Sequence, residues 1–126
     1  MVINRKEPIY KLAEIFTKIE NTKFEVGSFL CSTLYSDKND QFQIVLYEDK
    51  DGKENIIPLH EHSVYTYIIV IKGQVTISYY DHDVILKEND IHYVFPNTPH
   101  IECAIPESKH LSIFIPKDIE LDTIMK

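Results

Sequence analysis

The sequence predicts an all-β domain, a sandwich or barrel of many short strands, with a helix ahead of it. Three observations carry that expectation. Short runs rich in β-branched and aromatic residues recur from about Phe24 to about Pro116. Polar turn segments separate these runs at close, regular spacing. The stretch with a clear helical period lies before the first run.

Pro8 to Glu20 carries Ile9, Leu12, Ala13, Ile15, Phe16 and Ile19 on an approximate 3.6-residue period, with Pro8 suited to a first helical turn. This predicts an amphipathic helix over 8–20, ending near Asn21-Thr22. The β portion is expected over 24–116. Its runs are Phe29–Tyr35, Phe42–Glu48, Asn55–Leu59, Val64–Lys72, Gln74–Tyr80, Val84–Leu86, Ile91–Phe95, Ile101–Ile105 and His110–Ile115. Between them stand Ser36-Asp37-Lys38-Asn39, Asp49-Lys50-Asp51-Gly52, Asp81-His82-Asp83 and Pro96-Asn97-Thr98-Pro99. A last short helix is expected over 118–125. No repeat, linker or low-complexity segment divides the chain, so 1–126 reads as one domain.

Size and charge narrow the function classes. With 126 residues, 44% hydrophobic and 26% charged, the chain resembles an ordinary globular domain with enough length for one core. Its formal charge is −7, and its lysines are scattered beside acids, which argues against a nucleic-acid surface. No apolar run approaches the ~18–20 residues of a membrane helix. The opening Met1-Val2-Ile3-Asn4-Arg5-Lys6 leads into no signal-like segment, so a cytoplasmic location is the expected default. Cys31 and Cys103 lie far apart and outside any Cys-x-x-Cys pattern, and are expected as buried free thiols. Three glycines in the whole chain exclude a glycine-rich nucleotide loop.

The residues that carry chemistry are histidines. His60-Glu61-His62 opens a strand-like run, and alternation places both histidines on the face that continues through Val64, Thr66, Ile68 and Val70. Two imidazoles two residues apart can chelate one cation, and solvent-facing side chains at a strand end are the plain alternative. His100 follows the rigid turn Pro96-Asn97-Thr98-Pro99, which is suited to aiming a side chain inward.

Two stretches resemble the paired motifs of the cupin superfamily. Pro58-Leu59-His60-Glu61-His62 through Ile71-Lys72-Gly73-Gln74-Val75 resembles the first, a His-x-His pair followed by a glutamate and then a glycine, here Gly73. Leu86-Lys87-Glu88-Asn89-Asp90 through Phe95-Pro96-Asn97-Thr98-Pro99-His100 resembles the second, with its turn, proline and final histidine. The resemblance covers roughly Glu54 to Ile115 and implies a jelly-roll β-barrel with His60, His62 and His100 as ligands of a divalent metal, zinc, iron, nickel or manganese. Two departures stand out. The family's glutamate ligand would fall at Thr66, and its second-motif glycine is Asn89, a residue that also tolerates left-handed backbone angles. A three-histidine site of this kind is similar to that of the thiol dioxygenases within the same superfamily. Glu102 shares the strand face of His100 and could add a carboxylate, although a strand-surface glutamate is the plainer account.

Three functions follow from the resemblance. One is a metal-dependent enzyme acting on a small molecule, an oxygenase, isomerase or lyase, with the metal binding substrate and His92, a tyrosine or Glu102 moving protons. Another is a sensing or binding module, since Tyr79 to His100 resembles the sensory cupin domain of AraC-type regulators. The plainest is a barrel whose metal is structural. His92 faces inward or outward with equal weight, because a short run does not orient itself. His82 is expected in a solvated turn and His110 in a structural position. Tyr65 and Tyr67 alternate away from His62 as outer packing or a dimer surface, and only one of Tyr79 and Tyr80 is expected to line the barrel. The expected partners are a small-molecule ligand and a second copy of the chain, with no nucleic acid and no membrane.

Overall fold

Alternation between buried and exposed side chains, the signature expected of half-buried strands, governs nearly every element. The computed structural model describes residues 23–36 and 43–115. Within them the strands are β1 (Lys23–Val26), β2 (Phe29–Ser36), β3 (Gln43–Glu48), β4 (Asn55–His60), β5 (Tyr65–Lys72), β6 (Gln74–Ser78), β7 (Asp83–Lys87), β8 (Ile91–Val94), β9 (His100–Ala104) and β10 (Lys109–Ile115). All pair antiparallel, in two sheets: β1-β2-β3-β10-β5-β8 and β4-β9-β6-β7. The expected all-β architecture is what forms. The helices expected over 8–20 and 118–125 lie outside the described residues, as does Phe42.

The two sheets close over one apolar core. Phe29, Val45, Ile68, Val70, Val75, Ile77 and Phe114 are buried between them. Removing each such side chain from water contributes about 1.5–3 kcal/mol. On β5 the buried residues are Thr66, Ile68 and Val70, while Tyr65 and Tyr67 point outward. There Tyr65 stacks on Tyr93 at 5.6 Å between ring centroids, and Tyr67 lies 4.8 Å from the same ring. The outward placement of both tyrosines matches the alternation of the sequence.

Two turns carry the chain between sheets and end on residues with positive φ. Gly73 (φ 84°) joins β5 to β6, and a Cβ there would lie 2.2 Å from Ser108 Oγ. Ser108 Oγ fills that space because it accepts from Gln74 N–H (3.1 Å) and donates to the Gln74 carbonyl (3.3 Å). Asn89 (φ 72°) turns β7 into β8 and donates its N–H to the Val70 carbonyl at 2.8 Å. The left-handed angle tolerated by asparagine at this position is thus the one adopted.

β1 has no counterpart among the nine runs of the sequence. Lys23–Val26 alternates exposed and half-buried residues, and its partner is set by the tight turn at Gly27 (φ 58°). That turn is held to the opposite sheet: Ser28 N–H donates to the Ile56 carbonyl and Ile56 N–H to Ser28 Oγ. Four residues ahead of a glycine are too few to stand out as a run.

Gly73→Ala is expected to lower stability by about 2 kcal/mol or more, since it combines a forbidden φ with a clash against an anchored hydroxyl. Urea denaturation measures this; a midpoint equal to that of the parent would refute the account of this corner.

Candidate metal centre

The site starts from a parity change in β4. Ile57 pairs with Glu102 and His60 with His100, so three steps on β4 answer two on β9. The extra residue is a bulge at Pro58-Leu59, where proline has no N–H to give to a ladder. Strict alternation from buried Ile57 would turn Leu59 inward. The bulge instead leaves Leu59 67% exposed and brings His60 to the inner face.

The three histidines therefore come from different places than a single strand. His60 ends β4, His62 lies in the connection to β5, and His100 begins β9. The expectation that His60-Glu61-His62 opens a strand is corrected here: strand pairing is interrupted at 61–64, yet the chain keeps its in–out alternation, with Glu61 exposed and His62 half-buried. The His62 carbonyl accepts from Asn97 N–H at 2.7 Å, tying this connection to the turn before His100. Asn97 itself sits at φ 57°.

His60, His62 and His100 converge so that one ligand atom from each lies within 4.8 Å of the others. Their ring centroids are 4.3 Å (His60–His100), 5.0 Å (His60–His62) and 5.8 Å (His62–His100) apart. His60 Nδ1–H donates to the Pro58 carbonyl (2.7 Å), and His100 Nδ1–H donates to the Thr98 carbonyl (2.8 Å). A carbonyl can only accept, so both protons are placed on Nδ1 and both Nε2 lone pairs are left for another partner. Outer hydrogen bonds of this type commonly orient metal-binding imidazoles. Burial pushes the His100 imidazole below its ordinary value, despite the Thr98 carbonyl, which favours the protonated ring. The neutral form is the one that ligates. The donor set of three imidazoles fits a divalent transition metal.

Glu102 is not a surface glutamate. It points into the barrel, 3% exposed, and is the one buried acid among the described residues. Its Oε2 lies 3.8 Å from His60 Nε2, and its Oε1 lies 3.2 Å from His110 Nε2. The His110 approach is not aligned for a hydrogen bond, so Oε1 and both His110 nitrogens have no bonded partner. Burial alone would raise this carboxyl; the imidazoles of His110, His60 and His100 outweigh it and hold the group below the usual carboxylate range. His110, completely buried, stacks on Tyr47 (4.7 Å, 6°) and meets Phe29 edge-on. Its structural setting is as expected. Thr66, where the family's glutamate would stand, is buried and its hydroxyl lacks a hydrogen-bond partner.

The orientation of His92, open in the sequence, is inward: it pairs across β8–β5 with buried Ile68. Tyr79 Oη and His92 Nε2 are hydrogen-bonded at 2.6 Å, a bond that bridges the two sheets. Burial holds His92 below its ordinary value and raises Tyr79 above its own. Tyr80 is fully exposed, so Tyr79 is the tyrosine that faces in. Exposed His82 pairs with Asp81 at 2.7 Å and stacks on Tyr79. Beside the histidines opens a cavity of about 630 Å³, with Tyr79, His92, Tyr93, Phe95, Pro99 and Ile101 in its wall. The three imidazoles are not part of that wall; of the wall residues, the Tyr79 ring lies 6.1 Å from that of His100. Both cysteines are free, Cys31 buried as expected and Cys103 only partly so.

Comparison with known proteins agrees with this geometry. The family described as Cupin domain matches residues 48–114. The chain belongs to the cupin family. Among solved structures it is similar to an RmlC-like cupin from Shewanella frigidimarina (15% identity, 79% of this chain and 86% of that one, TM-score 0.68). It is equally similar to KdgF from Halomonas sp. (15% identity, 79% and 91%, TM-score 0.68). It also matches Bacillus subtilis oxalate decarboxylase, a protein described with Mn(II) centres (17% identity, 74% of this chain and 26% of that one, TM-score 0.62). At these identities the likeness shows the shared fold. The curated proteins searched contain no match.

Acidification is expected to destabilise the metal-free protein. His100 and His92 bind protons less readily folded than unfolded, so below the unfolded value of about 6.5 the unfolded chain takes up more protons. Their contribution is complete above that pH and is lost as pH falls toward the folded values. Glu102 adds a further loss at more acidic pH. Urea midpoints that stay level from about pH 7.5 to about pH 5.5 would contradict this.

Proposed function

We propose that this cupin holds a divalent metal between His60, His62 and His100 and acts on a small molecule in the adjoining cavity, as an oxygenase, isomerase or lyase. The observation that carries the reading is the fixed tautomer of His60 and His100, each donating Nδ1–H to a backbone carbonyl so that Nε2 turns toward the shared centre. Two imidazoles preset in this way, with a third within reach, form a chelate before any ion arrives.

A divalent ion bound there would polarise a ligand oxygen or lower the pKa of a bound water. The chain's own residues would do the rest. The cavity wall of Tyr79, Tyr93, Phe95, Pro99 and Ile101 would pack against an apolar body. Among the described residues no lysine or arginine lines it, and its titratable cations are His82 and His92. Tyr79 and His92 share one proton across 2.6 Å at the cavity wall and could pass it to or from a bound molecule. Imidazole donors suit zinc, iron and nickel, and the Mn(II) centres of the oxalate decarboxylase relative keep manganese in the set.

The second reading is a module that captures a ligand without transforming it. What favours it is Thr66 in place of the family's glutamate ligand, since that carboxylate is absent from the usual strand.

Tag-free protein, purified without chelator, is expected to carry close to one divalent metal per chain by elemental analysis. The double variant His60→Ala, His100→Ala should carry almost none. Equal metal in the two proteins, or none in either after reconstitution, would refute the site.

A further inference from the structure

We infer that β8 is the docking edge for a second copy of this chain, the two β8 strands pairing antiparallel across a two-fold axis and joining the larger sheets of both copies. The inference stands apart from the metal reading.

The state of the sheet edges is the first ground. Each sheet ends in two edge strands, β1 and β8 in the larger, β4 and β7 in the smaller. An edge offers unpaired N–H and C=O groups to another strand, and folded proteins blunt it with charge, proline or a bulge. Here β1 exposes Lys23 and Glu25, and Glu25 is paired with Lys50. β4 has Pro58 and the bulge described above. β7 is bracketed by exposed Asp83 and Lys87. β8, Ile91-His92-Tyr93-Val94, has none of these devices. Its imidazole turns inward to Tyr79, and the Asp90 carboxylate just ahead of it accepts from Lys87 N–H at 2.8 Å.

The outer face beside that edge is the second. Ile91 is 64% exposed, and Tyr93 is packed against exposed Tyr65, Tyr67 and Phe95. None of these side chains is charged. Exposed apolar patches of this kind mark association sites, and tyrosine and phenylalanine are enriched at the centre of protein interfaces.

Charge selects the occupant. With a formal charge of −7, two copies of the chain repel each other over most of their surface. Their contact costs least where neither presents a charge, which is β8 and the rings beside it. An uncharged strand has nothing to select an acidic or basic partner, whereas a two-fold axis lets the same groups serve both sides. His92, Tyr93 and Phe95 also belong to the cavity wall, so the joint borders the candidate site.

Sedimentation equilibrium at micromolar concentration on the wild type, Ile91→Lys and Ile85→Lys tests this. Ile85 is an exposed residue of the β7 edge and serves as the control. The wild type and Ile85→Lys are expected to be dimers. Ile91→Lys, which sets two lysines near each other across the axis, should weaken the dimer about tenfold or more. Each added lysine makes the chain less negative, so lost association cannot come from net repulsion. A monomeric wild type would overturn the inference, as would a dimer unchanged in Ile91→Lys or weakened equally in Ile85→Lys. Should Ile91→Lys fail to fold, hydrogen exchange of the wild type at low and high concentration decides. Amides of β8 that slow on concentration support the edge; slowing confined to β1, β4 or β7 overturns it.

Discussion

The pairing of β4 with β9 carries the whole site, because its single bulge decides which side of the sheet each donor occupies. Along β9, strict alternation turns His100, Glu102 and Ala104 inward together. β4 reaches the same face only after the extra residue at Pro58-Leu59. Without that residue the register would put Leu59 opposite His100 and aim His60 at solvent. The bulge has a second consequence: it leaves the Pro58 carbonyl within 2.7 Å of His60 Nδ1, so the feature that turns the ring inward also sets its tautomer. His100 gains the same arrangement from Thr98 in a separate turn. The two rings are fixed by backbone, not by each other.

The polar interior asks something of the rest of the fold. His100, Glu102, His110, Thr66 and Ser112 are all buried, in a barrel that could have filled the same volume with aliphatic side chains. A buried acid with an incompletely bonded carboxylate costs stability unless another group compensates it. The aliphatic layer of Ile68, Val70, Val75 and Ile77 offsets that loss. The polar residues are spread along the interior: Thr66 and His100 lie toward the end that holds the histidine cluster, whereas His110 pairs with Val70 toward the tightly filled Gly73 corner.

Much of this was readable in the residues. The strand runs were clear because β-branched and aromatic residues alternate with polar ones, and β5 shows that rhythm without interruption. The convergence of His60, His62 and His100 followed from paired motifs and was found. Other features depend on contacts that no local pattern encodes. His92 could not be oriented from four residues, and only its pairing with Ile68 turns it inward. Glu102 had the right parity, yet its depth comes from the opposite sheet, where His110 receives it. The break between β4 and β5 was hidden because His60, His62, Val64 and Thr66 keep one face through it. A bulge followed by an unpaired link resembles a continuous strand when only alternation is read.

That link gives the centre its physical character. His60 and His100 belong to one hydrogen-bonded sheet, whereas His62 sits on the segment crossing to the other, held by the Asn97 contact to its carbonyl. An ion bound by all three would join the two sheets at the open end, where strand pairing does not. Any ligand that binds only the folded state adds RT ln(1 + [L]/Kd), about 2.7 kcal/mol at a hundredfold excess over Kd. Here that free energy would act on the crossover itself. The Tyr79–His92 bond is the other cross-sheet tie at this end, and it forms part of the cavity wall. The Tyr79 ring borders both places: it lines the cavity, and its centroid lies 6.1 Å from that of His100.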